Sequence, residues 1–225
     1  MDTLTHMALG ACIGQAIGYK KMGRKALVYG AFAAFLPDLD VLATPFLGDY
    51  GSWKYHRHLS HALWFVPLIG AALAAGLWRF YERKNEKQQG VEFGRWLAVM
   101  VLAILSHPLL DFCTIYGTQL FAPFSNHRFE ISAISIIDPV YSGILCLAMG
   151  ALLFRKGRER ARFLAVSAIA LTTAYIAMGW GLNIRAENLA ARQLEDQQIA
   201  YQKVEAFTTI FQPFLRRVVV TNRIR

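Results

Sequence analysis

The sequence has few charged residues for its length. Only 17% of its 225 residues are charged, whereas 55% are hydrophobic. Soluble domains have about 25% charged and about 45–50% apolar residues. The composition therefore favours a bundle of membrane helices over a soluble core. Acidic residues are scarcer than basic ones, 15 against 24 Lys and Arg, and the net charge is +9.

The excess of basic residues does not indicate a nucleic-acid partner, and we expect none. Lys and Arg concentrate in three short segments between apolar runs, at positions 20–25, 79–95 and 155–162. Such clustering is typical of membrane topology signals and not of a phosphate-binding face. Because cytoplasmic loops carry the basic residues, these three loops are predicted to be cytoplasmic. Both chain termini are then predicted to lie outside the cytoplasm.

Cysteine is also rare, which excludes a disulfide framework or a C-x-x-C metal site. The three cysteines, Cys12, Cys113 and Cys146, lie in or beside apolar segments and form no C-x-x-C pair. We interpret them as small buried residues. No cleavable signal peptide is expected either, because no basic segment precedes the first apolar stretch.

Six apolar stretches predict an all-α, polytopic membrane helix bundle of about six helices. They cover residues 4–19, 26–47, 62–81, 96–116, 134–154 and 163–184. The first is too short for a hydrocarbon core of about 30 Å, so it is expected to be tilted or re-entrant.

Two regions follow from this pattern: a membrane-embedded metal-site domain at 1–184 and a C-terminal extramembrane segment at 185–225. Residues 185–202 predict a surface helix, and residues 215–220 predict a single strand. A lone strand is not stable without a partner. We therefore expect this segment to be incomplete or to pair with something else.

Against this apolar background stand five short polar clusters. They contain His6; Asp38 and Asp40; His56 and His61; His107 and Asp111; and Asp138. Ionisable groups in membrane segments are costly and mark functional sites. On the predicted topology, all five clusters lie at the extracytoplasmic ends of their helices. We therefore expect the clusters to meet in one site.

Histidines and carboxylates together are the ligands that transition metals prefer. His107 and Asp111 are four positions apart and therefore share one face of a helix. The set is too large for one closed tetrahedral zinc and suits two or three ions with open positions. Zinc is the expected metal. The predicted ligands are His6, Asp38, Asp40, His56, His61, His107, Asp111 and Asp138.

Some of these residues have a second interpretation. Asp138, which precedes Pro139, could equally be a helix N-cap, and we expect Asp2 to be the cap of the first helix. His58 is expected to be a bystander or to support a ligand, and His127 is expected to lie on the surface.

Two residues are predicted to take part in catalysis. Arg57 is a candidate clamp for an anionic substrate, because its fork matches phosphate and carboxylate oxygens. An interfacial arginine that reaches toward the headgroups is the alternative interpretation. Asp40 is the candidate general base, acting on a metal-activated water.

These motifs resemble those of the YdjM family of inner-membrane proteins, which are proposed to be metal-dependent hydrolases. The resemblance covers about residues 1–154. It rests on five motifs: the initial Met-Asp-Thr-Leu-Thr-His, Pro37-Asp38-Leu39-Asp40, His56-Arg57-x-x-Ser60-His61, Ser106-His107-x-x-x-Asp111, and Ile137-Asp138-Pro139. The family usually has glycine where this chain has His58, which argues against His58 as a ligand.

The resemblance implies a function as well as a location in the bacterial inner membrane. The family is distantly similar to zinc-dependent phospholipase C and P1-type nucleases, which are all-helical enzymes with His and Asp ligands around a zinc cluster. A membrane-bound metal-dependent hydrolase of phosphoester or lipid-like substrates is therefore the leading interpretation. Its expected partners are membrane lipid and a small-molecule or lipid substrate.

The alternative is a non-enzymatic membrane protein that binds or transports metal, or that uses metal to stabilise its fold. A transporter needs polar groups that continue toward the cytoplasmic side. The cytoplasmic halves of the predicted helices contain few, with Gln15 as one example. The sequence therefore favours the hydrolase over transport.

The predicted topology can be tested with single cysteines at positions 49 and 86, in a background without the native cysteines. A membrane-impermeant thiol reagent added to intact cells should label Asp49→Cys, because that loop is expected to be extracytoplasmic. It should not label Glu86→Cys, which lies in a basic loop. The reverse labelling pattern would place the metal site on the cytoplasmic side.

Overall fold

A computed structural model describes residues 1–43, 46, 57–84, 90–154 and 157–222. The described chain is mostly helical, with one small two-stranded sheet. Its six α-helices are α1 Thr3–Gly18, α2 Lys25–Phe35, α3 Phe65–Lys84, α4 Phe93–Phe112, α5 Pro139–Phe154 and α6 Arg158–Asp196. Two 3-10 helices cover Leu36–Ala43 and Leu59–His61, and the strands are β1 Lys203–Thr209 and β2 Gln212–Thr221.

Helix α1 lies at the centre of the bundle, where it contacts α2, α4, α5 and α6. On one side its apolar residues pack with α5 and α6 around Tyr141 and Leu145. On the other side a second apolar cluster joins α2, α3 and α4 around Trp96 and Met100. Because α1 is buried between these two clusters, its polar side chains are also withdrawn from solvent.

The contact between α1 and α2 depends on glycine. A Cβ atom at Gly30 would lie 2.1 Å from the carbonyl oxygen of Gly10, and one at Gly14 would lie 2.1 Å from that of Ala26. Small residues allow helix backbones to approach this closely. The two helices run antiparallel, so the start of α1 comes to lie beside the end of α2.

Helix α2 is shorter than the apolar stretch at 26–47 predicted. It ends at Phe35 and continues as the 3-10 helix Leu36–Ala43. The physical reason is Pro37, which has no N–H to donate and disfavours α-helical geometry in the residue before it. The change of helix type places Asp38 and Asp40 in a tighter turn at the end of the bundle.

Helix α6 is longer than expected. Its 39 residues run without a break through the polar region that predicted a separate surface helix, and through the predicted boundary between residues 184 and 185. At the α-helical rise it is about 58 Å long, well beyond a hydrocarbon core of about 30 Å.

The C-terminal segment contains a sheet, which the all-α prediction did not include. The strand predicted there also has a partner. Strand β2 pairs antiparallel with β1, with Lys203 opposite Thr221 and Thr208 opposite Arg216. The sequence of β1 is rich in β-branched and aromatic residues, which favour strands. The hairpin therefore supplies its own partner.

A half-buried arginine fastens the hairpin to the bundle. Arg216 donates from Nη1 to the carbonyl of Ser132 and to Oδ1 of Asn183, both at 3.0 Å, and from Nη2 to the carbonyl of Gly179 at 2.8 Å. Asn183 in turn donates to the carbonyl of Ala206 at 2.7 Å. The hairpin is thus held both to α6 and to the segment that follows α4.

Two of the described helices, α4 and α6, are long and apolar enough to cross a membrane. Shorter apolar helices are present at Phe65–Tyr81 and Pro139–Phe154. The predicted number of about six spans is not confirmed by helix length and stays a prediction.

The close contact between α1 and α2 makes Gly30 sensitive to substitution. Gly30→Ala should lower the midpoint of thermal unfolding in detergent, because the new Cβ overlaps the Gly10 carbonyl and such overpacking costs about 1–3 kcal/mol. Gly76→Ala is the matched control, since no atom lies within 4 Å of a Cβ there. Equal midpoints for the two variants would show that α1 and α2 are not in backbone contact.

Candidate metal centre

The candidate centre lies where the first turn of α1 meets the last turn of α4 and the two 3-10 helices. Asp2 caps α1, as expected, and accepts hydrogen bonds from the backbone N and the hydroxyl of Thr5. His6 and Asp111 are each 1% exposed, and His61 and His107 are fully buried. Four ionisable side chains are therefore enclosed within the protein.

His107 is held with one ring nitrogen toward the centre. Its Nδ1 lies 2.6 Å from the carbonyl oxygen of Ala34. A carbonyl can only accept, so Nδ1 carries the proton and Nε2 has the free lone pair. That Nε2 lies 3.2 Å from Oδ1 of Asp38 and 3.8 Å from Oδ2 of Asp111. Metal-binding histidines are typically oriented by a carbonyl in this way.

His61 is oriented through a serine. Its Nδ1 lies 2.9 Å from Oγ of Ser60, which donates to Oδ2 of Asp40 at 2.7 Å. The Nε2 atom of His61 lies 3.4 Å from Oδ2 of Asp111. Burial lowers the pKa of His61. The ring is therefore neutral at ordinary pH, and the neutral ring is the form that binds metal.

His6 completes the group of histidines. Its Nε2 lies 3.2 Å from Oδ1 of Asp111, and its ring stacks on that of His107 with centroids 3.6 Å apart. Two imidazoles stacked this closely in a buried site would repel if both were protonated. The stacking therefore disfavours a state in which both rings carry a charge.

The donor atoms fit a metal ion. Two groups have ligand atoms that all lie within 4.8 Å of one another: His6, His107 and Asp111; and Asp38, His61 and His107. A tetrahedral site with bonds of about 2.05 Å has edges of about 3.3 Å between ligand atoms. One edge in each group is close to that value, at 3.2 Å between His6 and Asp111 and 3.2 Å between His107 and Asp38.

Buried polar atoms without a hydrogen-bond partner also favour a metal ion in the centre. Among the described residues, Nε2 of His107 and Oδ2 of Asp111 have no hydrogen-bond partner. Buried polar atoms of this kind call for an explanation, and an ion is one. Because His107 offers only Nε2, it can serve one ion. Asp111 offers two oxygens facing different histidines, so it is the residue that could bridge a second ion.

The remaining predicted ligands have other surroundings. Asp40 lies behind His61, with its Oδ2 accepting from Ser60 and from the backbone N of Arg57 at 3.2 Å. Asp138 is the N-cap of α5, where its carboxylate accepts from the backbone N of Tyr141 and from the hydroxyl of Tyr175. Neither residue belongs to the two groups of ligand atoms. The predicted ligand His56 lies outside the described residues.

Arg57 reaches into the same centre. It is only 5% exposed, and its Nε lies 3.2 Å from Oδ2 of Asp111. Its guanidinium carbon lies 5.2 Å from the centroid of the Tyr116 ring. The backbone of Arg57 is left-handed, with φ of 63°. In this structure the side chain is enclosed, whereas the alternative interpretation had it reach toward the lipid headgroups.

Several residues of the centre were not identified from the sequence. Thr3 donates to Oδ2 of Asp38 at 2.7 Å, and the amino group of Met1 donates to Oδ1 of Asp111. Ser60 adjoins His61 in the sequence, which is a usable signal for a supporting role. The role of the Ala34 carbonyl could not be predicted from the sequence, because every residue has a backbone carbonyl oxygen.

Comparison with known proteins identifies a family and two relatives of this chain. A family model described as YdjM inner membrane protein matches residues 1–183. The inner membrane protein YbcI of Escherichia coli (strain K12) is 35% identical over 136 residues, which cover 56% of this chain and 69% of YbcI. Protein YfhP of Bacillus subtilis (strain 168) is 26% identical over 174 residues, which cover 74% of this chain and 50% of YfhP. No solved structure matches this chain.

The geometry predicts which histidines hold metal. His107→Ala should remove bound zinc from protein purified with zinc and then washed of excess ion, as measured by elemental mass spectrometry. His127→Ala should retain zinc, because His127 is exposed and its ring meets that of Phe129 edge-to-face, away from the centre. Equal zinc content in the two variants would show that the buried histidines do not bind zinc.

Proposed function

The chain belongs to the YdjM inner membrane protein family, and on that premise we propose that it is a membrane-bound metal-dependent hydrolase. Its proposed substrates are phosphoesters or lipid-like molecules. The proposal depends on the set of inward-facing donors described above, of which only Asp38 is not fully buried: His6, Asp38, His61, His107 and Asp111.

We propose zinc as the metal, because imidazole and carboxylate are its usual ligands in catalytic sites. Either group of ligand atoms offers three residues, which is the number that catalytic zinc sites use while keeping one position open. A bound divalent ion would activate water and polarise a phosphoryl oxygen. Because Asp111 has two carboxylate oxygens, the proposal also allows a second ion.

The protein's own residues supply orientation and charge. Arg57 is proposed to bind the anionic group of the substrate beside Asp111, where its Nη1 has no hydrogen-bond partner among the described residues. Asp40 is proposed to orient His61 through Ser60, and its partial exposure of 16% also suits the role of general base. Both roles require the side chains to stay in fixed positions when substrate enters.

The arrangement of charges supports a multi-pass protein with an extracytoplasmic site. The site lies at the His6 end of α1, whereas basic side chains contact the other end. There Arg95 donates to the carbonyl of Ile17, and Arg158 donates to the carbonyl of Lys20. His6 and Ile17 are about 16 Å apart along the helix. The positive-inside rule then puts the basic end in the cytoplasm.

The alternative function is non-enzymatic metal binding, transport or structural stabilisation. Transport needs polar groups along a path away from the site. Between His6 and the buried Gln15, the buried residues of α1 include Ala8, Leu9 and Cys12, which are apolar. A purely structural ion would not require Arg57 in the enclosed centre. These observations favour the hydrolase.

Hydrolysis can be tested with the purified, zinc-loaded protein and a chromogenic phosphodiester. Arg57→Ala should retain zinc but lose about 100-fold in kcat, as expected when one electrostatic contact to a developing charge is removed. Arg158→Ala, at the opposite end of the bundle, is the control and should be fully active. Zinc loss in Arg57→Ala would assign Arg57 a structural role. Lack of turnover by the unsubstituted protein on phosphodiesters, phosphomonoesters and phospholipids would overturn the hydrolase proposal.

A further inference from the structure

A groove of about 570 Å³ lies between the β-hairpin and the segment that follows α4. That volume is within the range of small-molecule sites, about 300–1,000 Å³. The groove is largely apolar, with a cationic side chain at its wall. Its lining includes Ile115, Tyr116, Ser135, Ile136, Ile210 and Arg217.

The groove adjoins the candidate metal centre through one aromatic ring. Tyr116 lines the groove, and its ring also lies against the guanidinium of Arg57. Arg57 in turn contacts Oδ2 of Asp111. A molecule with an apolar part in the groove could therefore place a polar group at Arg57.

Arg128 belongs to a segment that runs alongside Gly117, the neighbour of Tyr116 in the chain. Thr118 exchanges backbone hydrogen bonds with Phe129, which brings residue 128 alongside Gly117. A Cβ atom at Gly117 would lie 3.1 Å from Cβ of Arg128. Burial lowers the pKa of Arg128, and the charge of Arg57 lowers this pKa further. Arginine side chains that come from two segments to the same part of the site suit a shared anion such as a phosphate.

The groove opens close to the predicted membrane surface. The backbone N of Phe211, at the tip of the hairpin, donates to the carbonyl of Ile137 at 3.2 Å, two positions before α5 begins. The tip exposes large apolar side chains: Ile210, Phe211, Phe214 and Leu215. Exposed aromatic residues beside the end of an apolar helix are typical of the membrane interface.

We infer that this groove binds an acyl chain of a phospholipid from the surrounding bilayer, with the lipid phosphate held between Arg57 and Arg128. The inference rests on the proposed function for the reaction, since it identifies the substrate as a membrane phospholipid. Each part of a phospholipid matches a part of the site. Its apolar tail suits the groove, its phosphate suits the two arginines, and it can enter from the membrane interface.

Photo-crosslinking tests binding without requiring turnover. The full-length protein is placed in nanodiscs that contain a trace of phosphatidylglycerol with a diazirine in one acyl chain. Crosslinks are then mapped by mass spectrometry. We expect crosslinks at residues 115–116, 135–136 and 208–210. A diazirine diacylglycerol with the same chains should label these positions at least fivefold less, because it has no phosphate.

Two substitutions test the groove and the phosphate site separately. Thr209→Trp, on the half-buried groove wall, should lower groove crosslinking at least fivefold. The matched control, Thr173→Trp on the exposed surface of α6, should leave it unchanged. Arg128→Gln should reduce labelling by the phospholipid to the level of the diacylglycerol. Unfolding midpoints within a few degrees of the unsubstituted protein should accompany each result.

The failures of the two proposals can be told apart. Equal labelling by the two probes, or groove labelling that persists in Thr209→Trp, would overturn the inference even in an active enzyme. Groove labelling that follows the expected pattern in a protein without hydrolase activity would contradict the proposed function alone.

Discussion

The site depends on how the Asp111 carboxylate is compensated inside the protein. A carboxylate that is 1% exposed is strongly destabilising unless charges or hydrogen bonds compensate it. Two cationic groups contact it, the guanidinium of Arg57 and the amino group of Met1, and histidine rings from α1, α4 and the segment at 57–61 surround it. His6, His61, His107 and Arg57 all lie within 3.2–3.8 Å of its oxygens. This convergence gives one small volume both a cluster of metal donors and a cation.

The close contact between α1 and α2 makes this convergence possible. The glycine-mediated approach of the two helices brings His6 next to the end of α2. Pro37 then ends α2, and the 3-10 helix that follows presents Asp38 to His107. A bulkier residue at Gly30 or a longer α2 would move these groups apart. The donor geometry is thus a consequence of backbone packing as well as of donor chemistry.

The hairpin extends the proposed site beyond the helical bundle. Arg216 ties it to α6 and to the segment after α4, so that a groove forms beside Tyr116. The same segment carries Arg128. In the proposed function, chemistry and substrate recognition therefore share one face of the molecule. On that proposal, the metal donors lie at its centre and the apolar groove lies toward the membrane interface.

Local sequence rules determined much of the helical framework. Apolar stretches located the six helices, because burying apolar surface requires long apolar segments whatever the tertiary arrangement. The Asp2 cap of α1 followed from short-range hydrogen bonding. The grouping of His6, Asp38, His61, His107 and Asp111 could be predicted because their apolar surroundings made these ionisable groups conspicuous.

Only the tertiary structure decided the roles that depend on distant contacts. Asp40 lies behind His61 because Ser60 bridges the two, and Arg57 lies against Asp111 because its left-handed backbone turns it inward. The sequence likewise did not predict the pairing of β1 with β2 or the continuity of α6. Strand pairing and the presentation of backbone carbonyls, such as that of Ala34, arise from contacts between residues far apart in the chain. Residue type alone carries no signal for such contacts.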